Sequence, residues 1–260
     1  FCDVTLDYIG NYQMTTAVDL VNKIELLIEE TGSTSFHFVD EAAPPKALKA
    51  IAQELLDRKL EIKWWTNIRF EKTFTPELCE LLAKSGCIAV TGGLEVASDR
   101  LLAKMKKGVD IAQVARVTHA FSQNGIMTHA YLMYGFPTQT SQETIDSLEV
   151  VRQLFENKCI QSAFWHLFTA TTHSPIGKDP ESFGIEITGP EFHGFAENDL
   201  IHIDPTGASH DDFTTGLNTA LDSYLNNINF DTPIQDWFDF DVEKTTVDPK
   251  LISDEILDRS

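Results

Sequence analysis

The sequence contains no window of eighteen or more uncharged apolar residues, which excludes an ordinary membrane-spanning helix. It begins Phe1-Cys2-Asp3, without an initiator methionine, a basic leader region or an apolar leader core, so it reads as a piece of a longer chain and not as a secreted precursor. Cysteine is sparse. Cys2, Cys79, Cys87 and Cys159 show no mutual spacing of a zinc site or a disulfide framework, which predicts a reducing, cytoplasmic setting. The eight histidines form no HExxH, HxxxH or Cys/His pairing, and Gly92-Gly93 lacks the spacing of a phosphate-binding glycine loop. Basic residues are scarce in the last hundred positions: residues 159–260 carry 4 against 19 acidic groups, and the whole chain has a formal charge of -20. Such a surface repels phosphate backbones, so the expected partner is a small molecule, a peptide or a basic protein surface and not a nucleic acid.

What is present is apolar material, 42% of 260 residues, sufficient for a substantial core. Apolar positions recur at helical spacing from Val18 to Ile28, and Gly32 supplies a C-cap. Ser35 to Glu41 is a short strand-like run ending in acids, after which Pro44 and Pro45 open a helix over 46–58. The unit then repeats. Strand candidates at 61–69, 87–95, 126–135 and 160–169 alternate with helix candidates at 75–84, 110–124 and 140–157. Thr75-Pro76-Glu77, Asp110, and Thr140 or Ser141 ahead of Glu143 all suit the first turn of a helix. Strands separated by such helices imply right-handed crossovers and a parallel sheet covered by helices. Five strands are visible; a sixth ahead of Cys2 would complete a partial (β/α)6 TIM-like barrel, with a doubly wound sheet as the competing architecture. Beyond residue 172 the pattern gives way to Gly, Pro, His and acidic residues with one helix near 211–226. The expected organisation is a barrel core over 1–177 and an acidic accessory region over 178–260.

In parallel α/β folds ligands gather at the carboxyl ends of the strands. Here those ends read Asp40-Glu41, Asn67-Ile68-Arg69, Gly92-Gly93-Leu94-Glu95 and Tyr134-Gly135-Phe136-Pro137. Residues two apart share a strand face, so Glu41 goes with Val39 and His37, and Glu95 lies above Gly93, Thr91 and Ala89, three small residues that leave room for a ligand. By the same alternation His129 and Tyr131, and His166 on the last strand, are candidates to touch substrate inside the barrel. Trp64 and Trp65 must face opposite sides. Solvated acids and ordinary core packing account for any one of these positions equally well.

Taken together, the residues from Phe1 to about Gly177 resemble the core of the radical S-adenosylmethionine (SAM) superfamily, in the branch often linked to a cobalamin-binding domain. Phe1-Cys2 matches the end of its CxxxCxxC motif. Phe38-Val39-Asp40-Glu41, Ser85-Gly86-Cys87 leading to Gly93-Leu94-Glu95, Leu101-Leu102, Met105-Lys106-Lys107-Gly108, and Gly135-Phe136-Pro137 with Thr140 and Glu143 follow in the family's order. The resemblance implies a 4Fe-4S cluster with Cys2 as its third thiolate ligand, and SAM cleaved by one electron to a 5'-deoxyadenosyl radical. It implies further that Glu41, with Asp40 as second choice, accepts from the SAM amino group, that Glu95 binds the ribose hydroxyls, and that Gly135, Phe136 and Pro137 shape the adenine pocket beside Phe1. Arg69 is a candidate for the SAM carboxylate or, equally, a structural ion pair. A reductant protein and cobalamin held by a domain outside this chain are implied partners. The first two motif cysteines are absent from the chain, and Cys79, Cys87 and Cys159 cannot replace them at that spacing, so by itself the chain is expected to be inactive. A cluster-independent barrel enzyme using Asp40, Glu41 and Glu95, or a non-catalytic module binding through its acidic region, are the other readings the residues allow.

Overall fold

The computed structural model describes residues 15–191 and 198–257. Its main body runs α1 (Ala17–Thr31), β1 (Ser35–Phe38), α2 (Pro45–Asp57), β2 (Lys63–Ile68), α3 (Pro76–Lys84), β3 (Cys87–Glu95), α4 (Asp99–Lys104), α5 (Ile111–Gln123), β4 (Met127–Tyr134), α6 (Ser141–Glu156) and β5 (Ser162–Leu167). Local chemistry sets these boundaries where the sequence predicts them. Thr16, Thr75, Asp110 and Thr140 cap their helices through side-chain oxygens, and Thr140 with Glu143 completes a capping box. Gly32 ends α1 in the left-handed region at φ 70°. The six-residue helix α4 is too short for apolar periodicity to reveal it, and it was not among the predicted elements.

The five strands are all parallel and lie in the order β1-β2-β3-β4-β5. A doubly wound sheet would reverse direction at a switch point, so the sequential order selects the open, TIM-like barrel over it. Burial alternates accordingly. Trp64, Thr66 and Ile68 of β2, Val90 and Leu94 of β3, and Ala130 and Leu132 of β4 are buried under the helices. The other parity faces a concave, open side. Trp64 and Trp65 split as the pleat demands: the Trp64 indole donates to the Ser85 carbonyl at 3.1 Å in the core, and Trp65 stacks on His37.

The chain after residue 168 adds β6 (Ala170–Thr171), α7 (Pro175–Lys178), α8 (Pro180–Phe183), β7 (Glu186–Gly189), β8 (Asp199–Ile203), α9 (Thr214–Leu225) and α10 (Leu251–Leu257). The three short strands form a separate antiparallel sheet in the order β6-β8-β7. Far from trailing off, this region shares the barrel's core: Phe213, Leu217, Tyr224, Ile234 and Ile252 belong to the same buried cluster as the barrel helices. Helix α6 is the anchor. Asp146 accepts from Thr245 Oγ1 at 2.9 Å, from Thr246 N at 2.7 Å and from Thr246 Oγ1 at 2.6 Å. Gln153 gives its amide to the Asp248 carbonyl at 2.9 Å and accepts from Ile252 N at 3.1 Å. Buried Glu149 is neutralised by a two-pronged contact from Arg152 at 2.8 and 2.7 Å, without which its desolvation would be costly. No helix among the described residues is long and apolar enough to cross a membrane.

A shared core makes a prediction. Phe213→Ala, which empties a site against Phe238 and Phe240, is expected to destabilise the whole chain by about 3–5 kcal/mol. In urea, far-UV circular dichroism should show one transition at a lower midpoint, whereas early loss of a separate C-terminal phase would contradict a common core.

Candidate functional site

The carboxyl ends of β1 to β4 converge on one mouth. After β1 the chain turns through Val39, Asp40 and Glu41, with Val39 80% exposed on the concave side. Asn67 pins this turn: its Nδ2 donates to the Asp40 carbonyl at 2.9 Å, and its own carbonyl accepts from Ala43 N at 2.8 Å. Thr66 Oγ1 adds a bond to the Phe38 carbonyl at 3.1 Å. The Glu41 side chain is thereby held at the rim and exposed to solvent.

At the end of β3 the backbone departs from regular pairing between Gly93 and Glu95, and Glu95 takes φ 63°, unusual for a residue with a side chain. This bulge folds the Glu95 carboxylate back over Gly93, where Lys107 Nζ meets it at 2.5 Å. Both side chains are mostly shielded, at 12% exposed for Glu95 and 15% for Lys107. A Cβ on residue 93 would overlap Glu95 Oε1 and stand 2.8 Å from Lys107 Nζ, so the glycine is what lets the pair settle there. Arg69 completes the cluster by donating from Nη2 to the Lys107 carbonyl at 2.6 Å. Its guanidinium is engaged with backbone at the mouth and not in an ion pair with a strand-end acid. A hollow of about 360 Å³ opens beside it, lined by Arg69, Lys107, Gly108 and Gln113 among others.

After β4 the chain passes Gly135 at φ 79° and Thr138 at φ 70°. Phe136 is fully buried, its ring against Phe168 and Phe183 in a second apolar cluster, and Pro137 is buried too. What this turn presents to the mouth is therefore the backbone around Gly135, not the phenyl ring. Buried Gln139 locks the turn from within, accepting from Phe136 N at 3.1 Å and donating to Thr144 Oγ1 at 2.9 Å. The C-terminal region locks it from without: Thr138 N donates to Asp204 Oδ2 at 2.6 Å, and His210 Nε2 donates to the Gln139 carbonyl at 3.1 Å. Burial by itself would raise the Asp204 carboxyl, but the N–H groups of Thr138, Thr206 and Gly207 outweigh it and hold it below the usual range. Burial lowers His210, favouring the neutral imidazole.

On the concave face His129, Tyr131 and His166 come together. His129 Nδ1 and Ser162 Oγ are 2.8 Å apart, the Tyr131 ring lies 5.2 Å edge-on from His129, and His166 lies 6.1 Å from Tyr131 and 4.6 Å from Phe164. Burial, and next the neighbouring His166, lower the His129 pKa. Phe1 and Cys2 lie outside the described residues. Lys107, Asp204 and His210 were not foreseen as parts of the mouth. The run Met105-Lys106-Lys107-Gly108 signalled the first, whereas nothing local to Asp204 or His210 points at a loop some seventy residues earlier.

Cys79, Cys87 and Cys159 are all buried, and burial pushes each thiol up to about 12. Among the described residues no group of three or more His, Cys, Asp and Glu could hold a metal ion.

The sequence profile of the Radical SAM superfamily matches residues 1–151, so the chain belongs to that superfamily. It is 28% identical over 169 residues to an anaerobic magnesium-protoporphyrin IX monomethyl ester cyclase of Rubrivivax gelatinosus, covering 64% of this chain and 30% of that protein. An uncharacterized methyltransferase of Pyrococcus horikoshii is 23% identical over 156 residues, covering 59% and 34%. The chain thus spans about a third of the length of these curated relatives. Among solved structures, the radical SAM methyltransferase TsrM of Kitasatospora setae shares the fold. Its form with cobalamin and a 4Fe-4S cluster gives a TM-score of 0.61 at 17% identity, over 81% of this chain and 47% of that one. Its form with tryptophan substrate and a SAM analogue gives 0.63 at 16% identity, over 80% and 46%.

The raised thiols set a test. In a Cys2→Ala background the remaining thiols should resist a thiol reagent at pH 8 until the protein is unfolded. Unfolded thiols near 9.0 lose protons before the folded ones near 12, so stability should fall as pH climbs through that window. Rapid labelling of the native protein would contradict the burial.

Proposed function

We propose that this chain is the core of a radical SAM enzyme, supplying Cys2 as one thiolate of a 4Fe-4S cluster and holding SAM across the carboxyl ends of β1 to β4. The observation that carries the reading is the family match over residues 1–151, which takes in Cys2 and every strand-end residue from Asp40 to Pro137. The described cysteines are buried and protonated, so of this chain's thiols Cys2 is the one left to serve a cluster, as one of the three thiolates that it needs. The mouth fits SAM as well, with carboxylates for its cationic and hydroxyl groups and cations for its carboxylate.

When bound, these groups supply one-electron reductive cleavage of SAM to methionine and a 5'-deoxyadenosyl radical. The protein's part is binding and orientation. Glu41, with Asp40 behind it, accepts hydrogen bonds from the amino group of the methionine moiety in a charge-assisted contact. Glu95 accepts from the ribose hydroxyls, and Lys107 holds its carboxylate in place beforehand, so little ordering remains on binding. Arg69, anchored through Nη2 on the Lys107 carbonyl, provides positive charge for the SAM carboxylate. Gly135 lets the backbone approach the adenine, with buried Phe136 and Pro137 as its support and Phe1 as a neighbour. Cobalamin, bound by a domain outside this chain, and an electron-donating protein complete the proposed cytoplasmic enzyme, with a small molecule or peptide as substrate. The cobalamin of TsrM and the methyltransferase among the relatives support that extension.

The test is anaerobic reconstitution with any coding sequence that precedes Phe1 included, counting iron and sulfide and assaying 5'-deoxyadenosine after adding SAM and a strong reductant. Four irons and deoxyadenosine release, both lost in Cys2→Ala, are expected; a folded protein that takes up neither iron nor SAM overturns the reading. Gly93→Ala, whose methyl displaces flexible side-chain ends and not backbone, should leave the fold intact yet weaken SAM binding about tenfold or more by calorimetry, as should Glu95→Gln.

A further inference from the structure

The strand register sets out polar side chains in one row across the concave face. Asn67 of β2 pairs with Thr91 of β3, Thr91 with His129 of β4, and His129 with Ser162 of β5. Partners at one level of a sheet lie a strand spacing apart, about 4.8 Å, so the row runs four strands wide with no acid, lysine or arginine in it. Gly93 follows two residues along β3, and the Glu95 carboxylate folds back over it to meet Lys107. The row therefore lies about 7 Å of strand rise below the level of that ion pair.

Within the row, the His129 ring is held at one end and open at the other. Nδ1 and Ser162 Oγ are 2.8 Å apart, and the Tyr131 ring packs edge-on against the imidazole at 5.2 Å, which together fix its plane. Nε2 has no partner among the described residues and is not buried. The other two histidines of this face have no such tether among the described residues: His37 stacks on Trp65, and His166 lies against Phe164. An imidazole oriented through one nitrogen presents the other in a fixed direction, which is what a base needs to meet a proton.

Its ionisation suits that task. Burial first, and then His166, hold the His129 pKa below its ordinary 6.5, so the ring is neutral near pH 7. The titratable and charged groups facing it are Tyr131 on its own strand, His166 on β5 and, above β3, the Glu95–Lys107 pair, whose charges offset each other. With Nδ1–H donated to Ser162 Oγ, Nε2 carries the lone pair. An imidazolium formed there keeps the same bond to Ser162, so its orientation survives proton uptake.

We propose that His129 is the base of the reaction lumen and that Nε2 takes a proton from an O–H or N–H group of the substrate. The substrate's O–H or N–H bond breaks with its electron pair left on the substrate, and the Nε2–H bond forms. Ser162 is the positioning residue, and the Thr91 hydroxyl stands beside the same group. The inference rests on the reading of the mouth as the SAM site, and it narrows the substrate to molecules that bring a hydroxyl or N–H group to the level of Thr91.

4-Nitrophenol is the probe, because its phenolate absorbs visible light and its hydroxyl proton is the only one it readily gives up. The 260-residue chain is labelled with ¹⁵N-histidine. Before the probe is added, the ¹⁵N shifts should show the Nδ1–H tautomer of His129 at neutral pH and a midpoint below 6.5. Below the probe's own ionisation midpoint, 4-nitrophenol should move the His129 nitrogens to imidazolium shifts and raise the phenolate absorbance together. His129→Gln should remove the absorbance rise, and Ser162→Ala, on the concave face and away from the helix-covered core, should weaken it about tenfold. 4-Nitroanisole, which carries a methyl in place of the proton, should leave His129 neutral. An Nε2–H tautomer, an absorbance rise undiminished in His129→Gln, or protonation of His129 by 4-nitroanisole overturns the proposal. SAM titrated into the reconstituted protein separates the two readings. Bound SAM without a phenolate response defeats the base alone, whereas a phenolate response without SAM binding defeats the SAM reading of the mouth and leaves His129 the base of a barrel with other chemistry.

Discussion

Everything at the mouth depends on the pleat of β3. As the central strand of a five-stranded parallel sheet it pairs on both sides, so its register is imposed by β2 and β4 together. Val90 and Leu94 go under the helices with no exposure, which commits Ala89, Thr91 and Gly93 to the concave side. The bulge at Gly93–Glu95 then uses the last residue of the strand differently. It turns the carboxylate back over a position without a side chain, where an ammonium twelve residues later can meet it. A strand continued regularly through Glu95 would present an unpaired acid on a flat edge.

The second constraint is that the mouth is built from loops, which need support from elsewhere. Asn67 ties the turn after β1 to β2, and Arg69 ties the turn after α4 to the end of β2. The turn after β4 contains two left-handed residues, Gly135 and Thr138, and is held by Gln139 inside and by Asp204 and His210 outside. The C-terminal region is thus part of the mouth's scaffold, carried there by α6 through Asp146, Gln153 and Arg152, which donates to the Phe230 carbonyl. Left-handed backbone at Thr138 costs energy, and the short Asp204 contact offsets it.

Elements with a local cause were legible in advance. Helix ends at Thr75, Asp110 and Thr140 follow from side chains that reach their own backbone, and strand faces follow from a period of two, which puts His129 and Tyr131 on one face, whereas Glu95 comes over Gly93 through the bulge. Less legible was the course of the turn around Phe136: the sequence named Gly135, Phe136 and Pro137 as one unit but not that the ring at Phe136 packs into the apolar cluster with Phe168. The short helix α4, the antiparallel strands after residue 168 and the anchoring of Thr245 and Thr246 on Asp146 left no periodic signal, since each rests on a few contacts between residues far apart in sequence.

The sequence by itself determined the alternation of strands and helices, the parity of each strand and the identity of the residues at the strand ends, because all three depend on neighbours within about four positions. Only the tertiary structure decided that Lys107 neutralises Glu95, that Arg69 grips a backbone carbonyl, and that Asp204 and His210 brace the Gly135 turn. Those pairings join residues brought together by winding the sheet, and charge, shape and hydrogen bonding at a distance carry no periodic trace along the chain.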